Sequence, residues 1–389
     1  MKPATQTLYD NYILPTYARF PVCFVKGQGV YLFDDQGKKY LDFAAGIGVN
    51  SLGTGHPLWL EAINKQAAVL AHVSNLYYTE PAALLAKKLC DISGMKRAFF
   101  SNSGAEANEG AIKTARKYSY DTYGKGRSTI ATLVQSFHGR TITTLAATGQ
   151  ESFHDFFFPF TEGFIHVPAG NIQALENLGE DICAVMIECI QGEGGVIPLS
   201  NDYLKQLEVL CRKRDWLLIV DEVQSGIGRT GSWFAYQEAG IKPDIVTFAK
   251  GISGGLPFGG FLSSQRACQT LKAGHHATTF GANPICAAAA LAVLDVLEPL
   301  LPQIKVMGSF IQQEVSALKI PIIREIRGRG LMLGITITGE TSPRTWVEQL
   351  LEAGLVTLTA GQDTIRLLPP LIITEKEIEE GIAIFKKVM

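Results

Sequence analysis

Asp244-Ile245-Val246-Thr247-Phe248-Ala249-Lys250 runs directly into Gly251-Ile252-Ser253-Gly254-Gly255. An apolar run closed by a lysine and a glycine-rich turn reads as a buried strand that delivers one amine to its C-terminal end. A second run, Leu217-Leu218-Ile219-Val220, ends in Asp221 shortly before it. Both are apolar throughout rather than alternating, as strands covered on two faces are. Open α/β sheets bind ligands in the crevice at the C-terminal ends of their strands. Lys250 and Asp221 are therefore expected to face one crevice.

The pattern extends outward from this pair. Between about residues 97 and 265 strands and helices alternate: Arg97 to Phe100, a helix from Ala105, Ile130 to Val134, Ala184 to Ile187, and Tyr203 to Arg214. Such alternation predicts an α/β fold with a mainly parallel sheet under helices. Val30 to Phe33 reads as a short strand before the turn Asp34-Asp35-Gln36-Gly37. From about 296 the order is helix, strand, helix, strand, helix, with Ile365 to Leu368 the last strand and Glu375 to Val388 the last helix. The expected division is a large domain over 46–295 and a smaller α+β domain built from 1–45 and 296–389.

Composition narrows the function. A formal charge of −2 on 389 residues, with no basic block, disfavours nucleic acid and anionic membranes as partners. The apolar run Ile285 to Leu294 is too short to span a bilayer and is closed by Asp295. Met1-Lys2-Pro3-Ala4-Thr5-Gln6-Thr7 lacks the apolar core of a signal peptide. Seven cysteines with no CxxC pair read as reduced thiols, which suggests a cytoplasmic protein. No metal-ligand spacing is present, and His275-His276 reads as loop.

A lysine and an aspartate in one crevice suit pyridoxal 5'-phosphate. The amine can condense with its aldehyde, and the carboxylate can keep its ring nitrogen protonated. Lys250, in an apolar pocket, would lose its proton readily and serve as nucleophile and base. Asn102-Ser103-Gly104-Ala105-Glu106 opens a helix, where free N–H groups suit a phosphate. Ser103 and Glu106 also fit an ordinary capping box. Strand alternation places Asp221 and Val223 on one face. Phe137 in Phe137-His138-Gly139-Arg140 could stack on an aromatic ring or belong to the core. Arg140 could grip a carboxylate or lie in solvent. Glu193 in Gly192-Glu193-Gly194-Gly195 and Arg366 carry weak signals alone.

Gly226-Ile227-Gly228-Arg229-Thr230-Gly231 raises a rival, a nicotinamide-dependent oxidoreductase. That fingerprint needs an acidic residue at the end of the next strand. Asp244 lies at the start of that strand, and Lys250 lies at its end.

Taken in order, these segments resemble the class III (ornithine-type) aminotransferases, a fold-type I family dependent on pyridoxal phosphate. The resemblance runs from Tyr17-Ala18-Arg19-Phe20-Pro21 and Asp42 to Asn50 through Ser101 to Asn108, Asp221 to Gly231 and Lys250. It continues through Thr278-Thr279-Phe280-Gly281 and Gly328 to Met332, and closes at Arg366. It implies that Ser103, Gly104 and Ala105 hold the cofactor phosphate, with Thr279 from the other subunit of a homodimer. Phe137 and Val223 would enclose the ring, Asp221 would bond its nitrogen, and Gln224 would lie near its phenolic oxygen. His138 and Glu222 belong to the same implied cofactor set, and Lys250 would join the cofactor covalently. Arg140, with Thr278 nearby, would hold the substrate carboxylate far from the reacting amine. Arg366 would hold an α-carboxylate, and Glu193 would pair with Arg366 in its absence.

The amine donor expected first is N-acetyl-L-ornithine. Succinylornithine, N-succinyl-diaminopimelate, ornithine and 4-aminobutyrate remain open. A non-enzymatic sensor of the cofactor is a further reading, and such regulators usually carry a DNA-binding domain, for which there is no room before Tyr17. Three positions depart from the family pattern: Thr54 where many relatives carry histidine, Gly251 where alanine is usual, and Ala282 where glycine is usual.

Overall fold

The computed structural model describes residues 3–389. Met1 and Lys2, at the head of the stretch read for a leader, lie outside the described residues. Leu217–Asp221 lies parallel between Ile182–Ile187 and Ile245–Phe248. The full sheet has seven strands in the order Arg97–Ser101, Gly259–Ser263, Ile245–Phe248, Leu217–Asp221, Ile182–Ile187, Thr129–Leu133 and Phe164–Val167. Gly259–Ser263 runs antiparallel to both neighbours, and the other pairs are parallel. Every residue of the three central strands is buried, which is why they read as unbroken apolar runs.

The strand before Lys250 is shorter than the apolar run suggests. It ends at Phe248, and Lys250 opens a 3₁₀ turn over Lys250–Ser253 with φ of 46°. A non-glycine residue held in the left-handed region costs about 1–3 kcal/mol and is typical of sites where function fixes the backbone.

The first strands, Phe24–Gln28, Tyr31–Asp34 and Lys39–Asp42, form a meander that Leu355–Val356 joins in parallel. The last segment builds a second antiparallel sheet of Ile323–Arg329, Met332–Ile337, Thr364–Leu367 and Leu358–Ala360. The single strands read in this region are thus hairpins.

Two sequence readings change. The apolar helix Pro284–Leu297 continues through Glu298–Leu300 into Leu301–Ala317, a stretch long and apolar enough to cross a membrane by length and composition. Packing accounts for that apolarity: Pro284–Leu297 rests on helices Pro57–Val69 and Glu80–Ser93 and buries Ala287, Ala290, Val293, Leu294 and Leu297. Gly226–Gly231, the dinucleotide-like motif, is a buried turn on the C-terminal segments. Arg229 donates from Nη1 to the carbonyls of Leu331 (3.1 Å) and Pro369 (2.5 Å). A Cβ at Gly231 would lie 2.2 Å from Lys305.

Candidate active site

Parallel pairing sets four strand ends side by side. Leu133 leads to Phe137–Arg140, Ile187 to Glu188, Val220 to Asp221, and Phe248 to Lys250. Together with the start of helix Gly104–Tyr123 they line a cleft of about 490 Å³. Its walls include Ser103, Gly104, Ala105, Phe137, His138, Arg140, Asp221, Val223, Gln224 and Lys250.

Asp221 is almost fully buried and accepts three N–H bonds. Oδ2 takes Asn108 Nδ2 (2.8 Å) and His138 Nδ1 (2.8 Å), and Oδ1 takes the Val223 amide (3.0 Å). A carboxylate oriented this way from behind presents its charge to the cleft. The strand stops at Asp221, so strand alternation does not carry Val223 into the cleft; the turn closed by the Asp221–Val223 bond does. Lys250 lies half-buried on the cleft wall, and burial lowers its pKa; Glu193 opposes that shift and Arg366 adds to it.

Ser103 caps helix Gly104–Tyr123, though the reciprocal half of the capping box is made one residue early, by Asn102. Ser103 Oγ accepts the Glu106 amide (3.2 Å), while the Glu106 carboxylate binds the Asn102 amide (2.8 Å). The first-turn amides of Gly104 and Ala105 have no intrahelical acceptor by position. A Cβ at Gly104 would lie 2.7 Å from Val223 Cγ1, so only glycine lets these two walls approach. The residues present thus fit pyridoxal phosphate: a phosphate cradle, an oriented buried carboxylate, flanking walls from Phe137 and Val223, and an amine whose pKa burial lowers.

Arg366, 3% exposed, sits past Gln224 on strand Thr364–Leu367. It donates to Glu193 through Nη1 (2.6 Å) and Nη2 (3.3 Å), and to Gln224 Oε1 (3.0 Å). Gln224 Nε2 in turn donates to Glu193 (3.2 Å). Gln224 is therefore the bridge of this pair, a place the sequence did not suggest. Burial pushes the Glu193 pKa up, and Arg366 more than offsets that, leaving the carboxyl below its usual range.

Other expected residues lie elsewhere. Glu222 departs from the cofactor set: it turns into the core, accepting from Ser225 Oγ (2.6 Å) and the Tyr236 amide (2.8 Å). Adjacent residues leaving a strand face opposite ways, and Asp221 takes the cleft side. Thr279 is exposed and does not line the cleft of its own chain, while Thr278 Oγ1 accepts from Asn102 Nδ2 (3.1 Å). Glu188 and Asn108 line the cleft and were missed. Glu188 accepts the amides of Phe137 (3.0 Å) and Gly192 (3.1 Å), and burial pushes its pKa up to about 7. Its position at the end of the strand beside Leu217–Asp221 was the available signal. Among the described residues no His, Cys, Asp and Glu group is arranged to hold a metal.

The family described as "Aminotransferase class-III" matches residues 12–389. An acetylornithine aminotransferase of Haemophilus ducreyi is 52% identical over 382 residues, covering 97% of this chain and 96% of the relative. One from Methanocaldococcus jannaschii is 46% identical, over 96% and 94% of the two chains. Among solved structures, the ornithine aminotransferase of Toxoplasma gondii, with pyridoxal phosphate at partial occupancy in its active site, superposes with a TM-score of 0.95. It is 31% identical and covers 100% of this chain and 94% of its own. The acetylornithine aminotransferase of Elizabethkingia anophelis gives 0.88 at 33% identity, over 99% and 97%.

Proposed function

This chain belongs to the class III aminotransferases, and on that premise we propose that it transfers the δ-amino group of N-acetyl-L-ornithine to 2-oxoglutarate. The products are N-acetyl-L-glutamate 5-semialdehyde and L-glutamate, and the setting is arginine biosynthesis. It is an aminotransferase dependent on pyridoxal phosphate.

When bound, the cofactor supplies an aldehyde carbon for the substrate nitrogen and a ring that takes up the electron pair of the breaking C–H bond. The chain supplies the rest of the chemistry. Lys250 Nζ, shifted by burial toward its neutral form, would be the amine that holds the cofactor's aldehyde carbon until a substrate amine takes its place. Once released it becomes the base that moves the proton at the reacting carbon. Asp221 would hold the ring nitrogen, Gly104 and Ala105 would hold the phosphate, and Phe137 and Val223 would exclude water from the two ring faces. Arg140 grips the carboxylate remote from the reacting amine.

The observation that carries the substrate reading is the Arg366–Glu193 ion pair at 2.6 Å. An amine donor reacting at its δ-nitrogen brings no carboxylate to Arg366, and Glu193 neutralises it. L-glutamate and 2-oxoglutarate bring an α-carboxylate, which takes the place of Glu193. The names of the similar proteins from Haemophilus ducreyi and Methanocaldococcus jannaschii support acetylornithine as the donor.

The same reading includes the cofactor domain at 46–295, a smaller domain from 1–45 and 296–389, a cytoplasmic location and a homodimer. Seven free cysteines favour the location. An exposed patch at Leu76, Tyr77 and Tyr78 is tied to the Thr279 loop through Asn75 and Gly281 (2.8 Å), which favours a subunit contact there. Thr279 would reach the partner's phosphate site from this loop.

The test adds N-acetyl-L-ornithine, without keto acid, to the holoenzyme and follows the cofactor's visible absorbance. Bleaching at lower concentrations than ornithine, succinylornithine or 4-aminobutyrate require is the expected result. Preferential bleaching by another amine would move the substrate assignment. Failure to take up the chromophore would overturn the roles of Lys250 and Asp221.

A further inference from the structure

A second cavity, of about 670 Å³, is lined by two residues, Phe153 and Glu193, that contact Phe137 and Gln224 on the cleft wall. Glu193 reaches the cleft side through Gln224, and Phe153 packs edge-on against Phe137 at 5.9 Å between ring centroids. Arg140 lies over the same two rings, its guanidinium carbon 4.0 Å from the Phe153 centroid and 5.6 Å from that of Phe137. A carboxylate gripped by Arg140 therefore sits at the mouth between the two spaces. In an N-acyl-ornithine the acylamino group hangs on the same carbon as that carboxylate. With the δ-amine directed to Lys250, an acyl group on the carbon held by Arg140 lies within reach of Phe153, and the second cavity is the space next to that ring.

The lining of that cavity is polar but contains no lysine or arginine. Ser152, Thr359 and Gln362 offer neutral hydrogen-bonding groups. Its two histidines are engaged: His154 Nε2 with the Leu145 carbonyl (2.9 Å) and His166 Nδ1 with Thr132 Oγ1 (2.7 Å). Burial also pulls the His166 pKa down, which keeps that ring uncharged near neutral pH. The carboxylates are Glu193, already paired with Arg366, and Glu151 in the turn Glu151–Phe153.

We infer that this cavity is the acyl subsite of the amine donor, selective for a short uncharged acyl group such as acetyl and against one that ends in a carboxylate, such as succinyl. The inference rests on the acyl-ornithine reading above and sharpens it. An acetyl group brings one carbonyl acceptor and a methyl group, which neutral walls accommodate. A succinyl group brings a second negative charge beside Glu151, and Arg140 at the mouth is already taken by the first carboxylate. Glu151 is the residue that sets the preference; it is exposed and lies at the start of the turn that carries Phe153.

The experiment measures kcat and KM on the holoenzyme for N-acetyl-L-ornithine, N-succinyl-L-ornithine and L-glutamate, in wild type, Glu151→Gln and Glu151→Lys. Inhibition constants of N-acetyl- and N-succinyl-L-norvaline, which lack the reacting amine, report binding apart from chemistry. Wild type should favour the acetyl compounds, mainly through KM and the inhibition constant. Glu151→Lys should improve both constants for the succinyl compounds by about tenfold, the size of a charge reversal a few ångströms away at a protein surface. Glu151→Gln should do so by less, and in both variants the preference for acetyl over succinyl in kcat/KM and in the inhibition constants should fall, with the glutamate constants reporting any general loss of function. A succinyl preference in wild type, or an acetyl-to-succinyl ratio that Glu151→Lys does not alter, overturns the subsite. Turnover of ornithine or 4-aminobutyrate with neither acylated amine accepted overturns the parent reaction, and the subsite with it.

Discussion

Arg366 is the residue on which two different substrates make opposite demands. A guanidinium 3% exposed is stable only with a partner, since stranding a buried charge costs about 3–5 kcal/mol. Glu193 provides that partner from a glycine-flanked loop, with Gly192 on one side and Gly194 and Gly195 on the other, which suits a side chain that must move aside. Removing it should favour the substrate that brings its own carboxylate. Glu193→Ala is expected to speed the glutamate half-reaction relative to the acyl-ornithine one in single-turnover experiments, and an unchanged ratio would sink the idea. Lys250 allows a second prediction at this scale. Lys250→Ala should still take up the cofactor, because Asp221 and the helix start remain, yet lose turnover by roughly three or more orders of magnitude. Near-normal turnover would show that another group carries the proton.

At the scale of elements, the strand ends explain what was legible. Lys250 and Asp221 stood out because each closes an apolar run, and burial on both faces forces such runs to be apolar. Glu188 closes a similar run, Ile182–Ile187, but the apolar Cys189-Ile190 that follows hides the strand end it marks. The direction of Gly259–Ser263 was not legible either, since side-chain composition does not encode whether a buried strand runs with its neighbours or against them. Glu222 was misplaced because the helix- and strand-end motifs name neighbours together, while the chain turns one inward and one outward.

The departures from the family pattern also have local causes. A Cβ at Gly251 would lie 2.4 Å from Ser51 Oγ, which bonds the Gly251 carbonyl, so glycine there matches this serine. Thr54 packs against Gly27, where a Cβ would lie 2.5 Å from its Oγ1. Ala282 differs: it holds φ of 61°, a conformation in which a methyl group is strained. Ala282→Gly should therefore stabilise the protein by about 0.5–1 kcal/mol, the relief of strain exceeding the added freedom of the unfolded chain. Urea unfolding that shows a loss of stability would mean that the alanine side chain makes a compensating contact.

At the scale of the whole molecule, the central sheet carries buried carboxyls at its strand ends, and this sets how stability responds to pH. Glu222 accepts from Ser225 and from the Tyr236 amide, tying the exit of strand Leu217–Asp221 to helix Tyr236–Ala239. Burial pushes its pKa up to about 7 from an ordinary 4.5. Between about 4.5 and about 7 the folded protein therefore retains a proton that the unfolded chain has released. The folded state binds more protons across that window, so stability falls as pH rises through it and levels off above. Glu188, also at about 7, acts in the same direction. A shift of this size corresponds to about 3 kcal/mol for one group as an upper value. Glu222→Gln keeps an acceptor for the Tyr236 amide and removes the titration. Wild type should thus lose stability relative to Glu222→Gln by about 1–3 kcal/mol between roughly pH 5 and pH 8, measured by urea unfolding of the holoenzyme at each pH. A difference between the two proteins that does not vary with pH would mean that Glu222 titrates alike in the folded and unfolded chains, and that the tie between strand and helix does not depend on its proton.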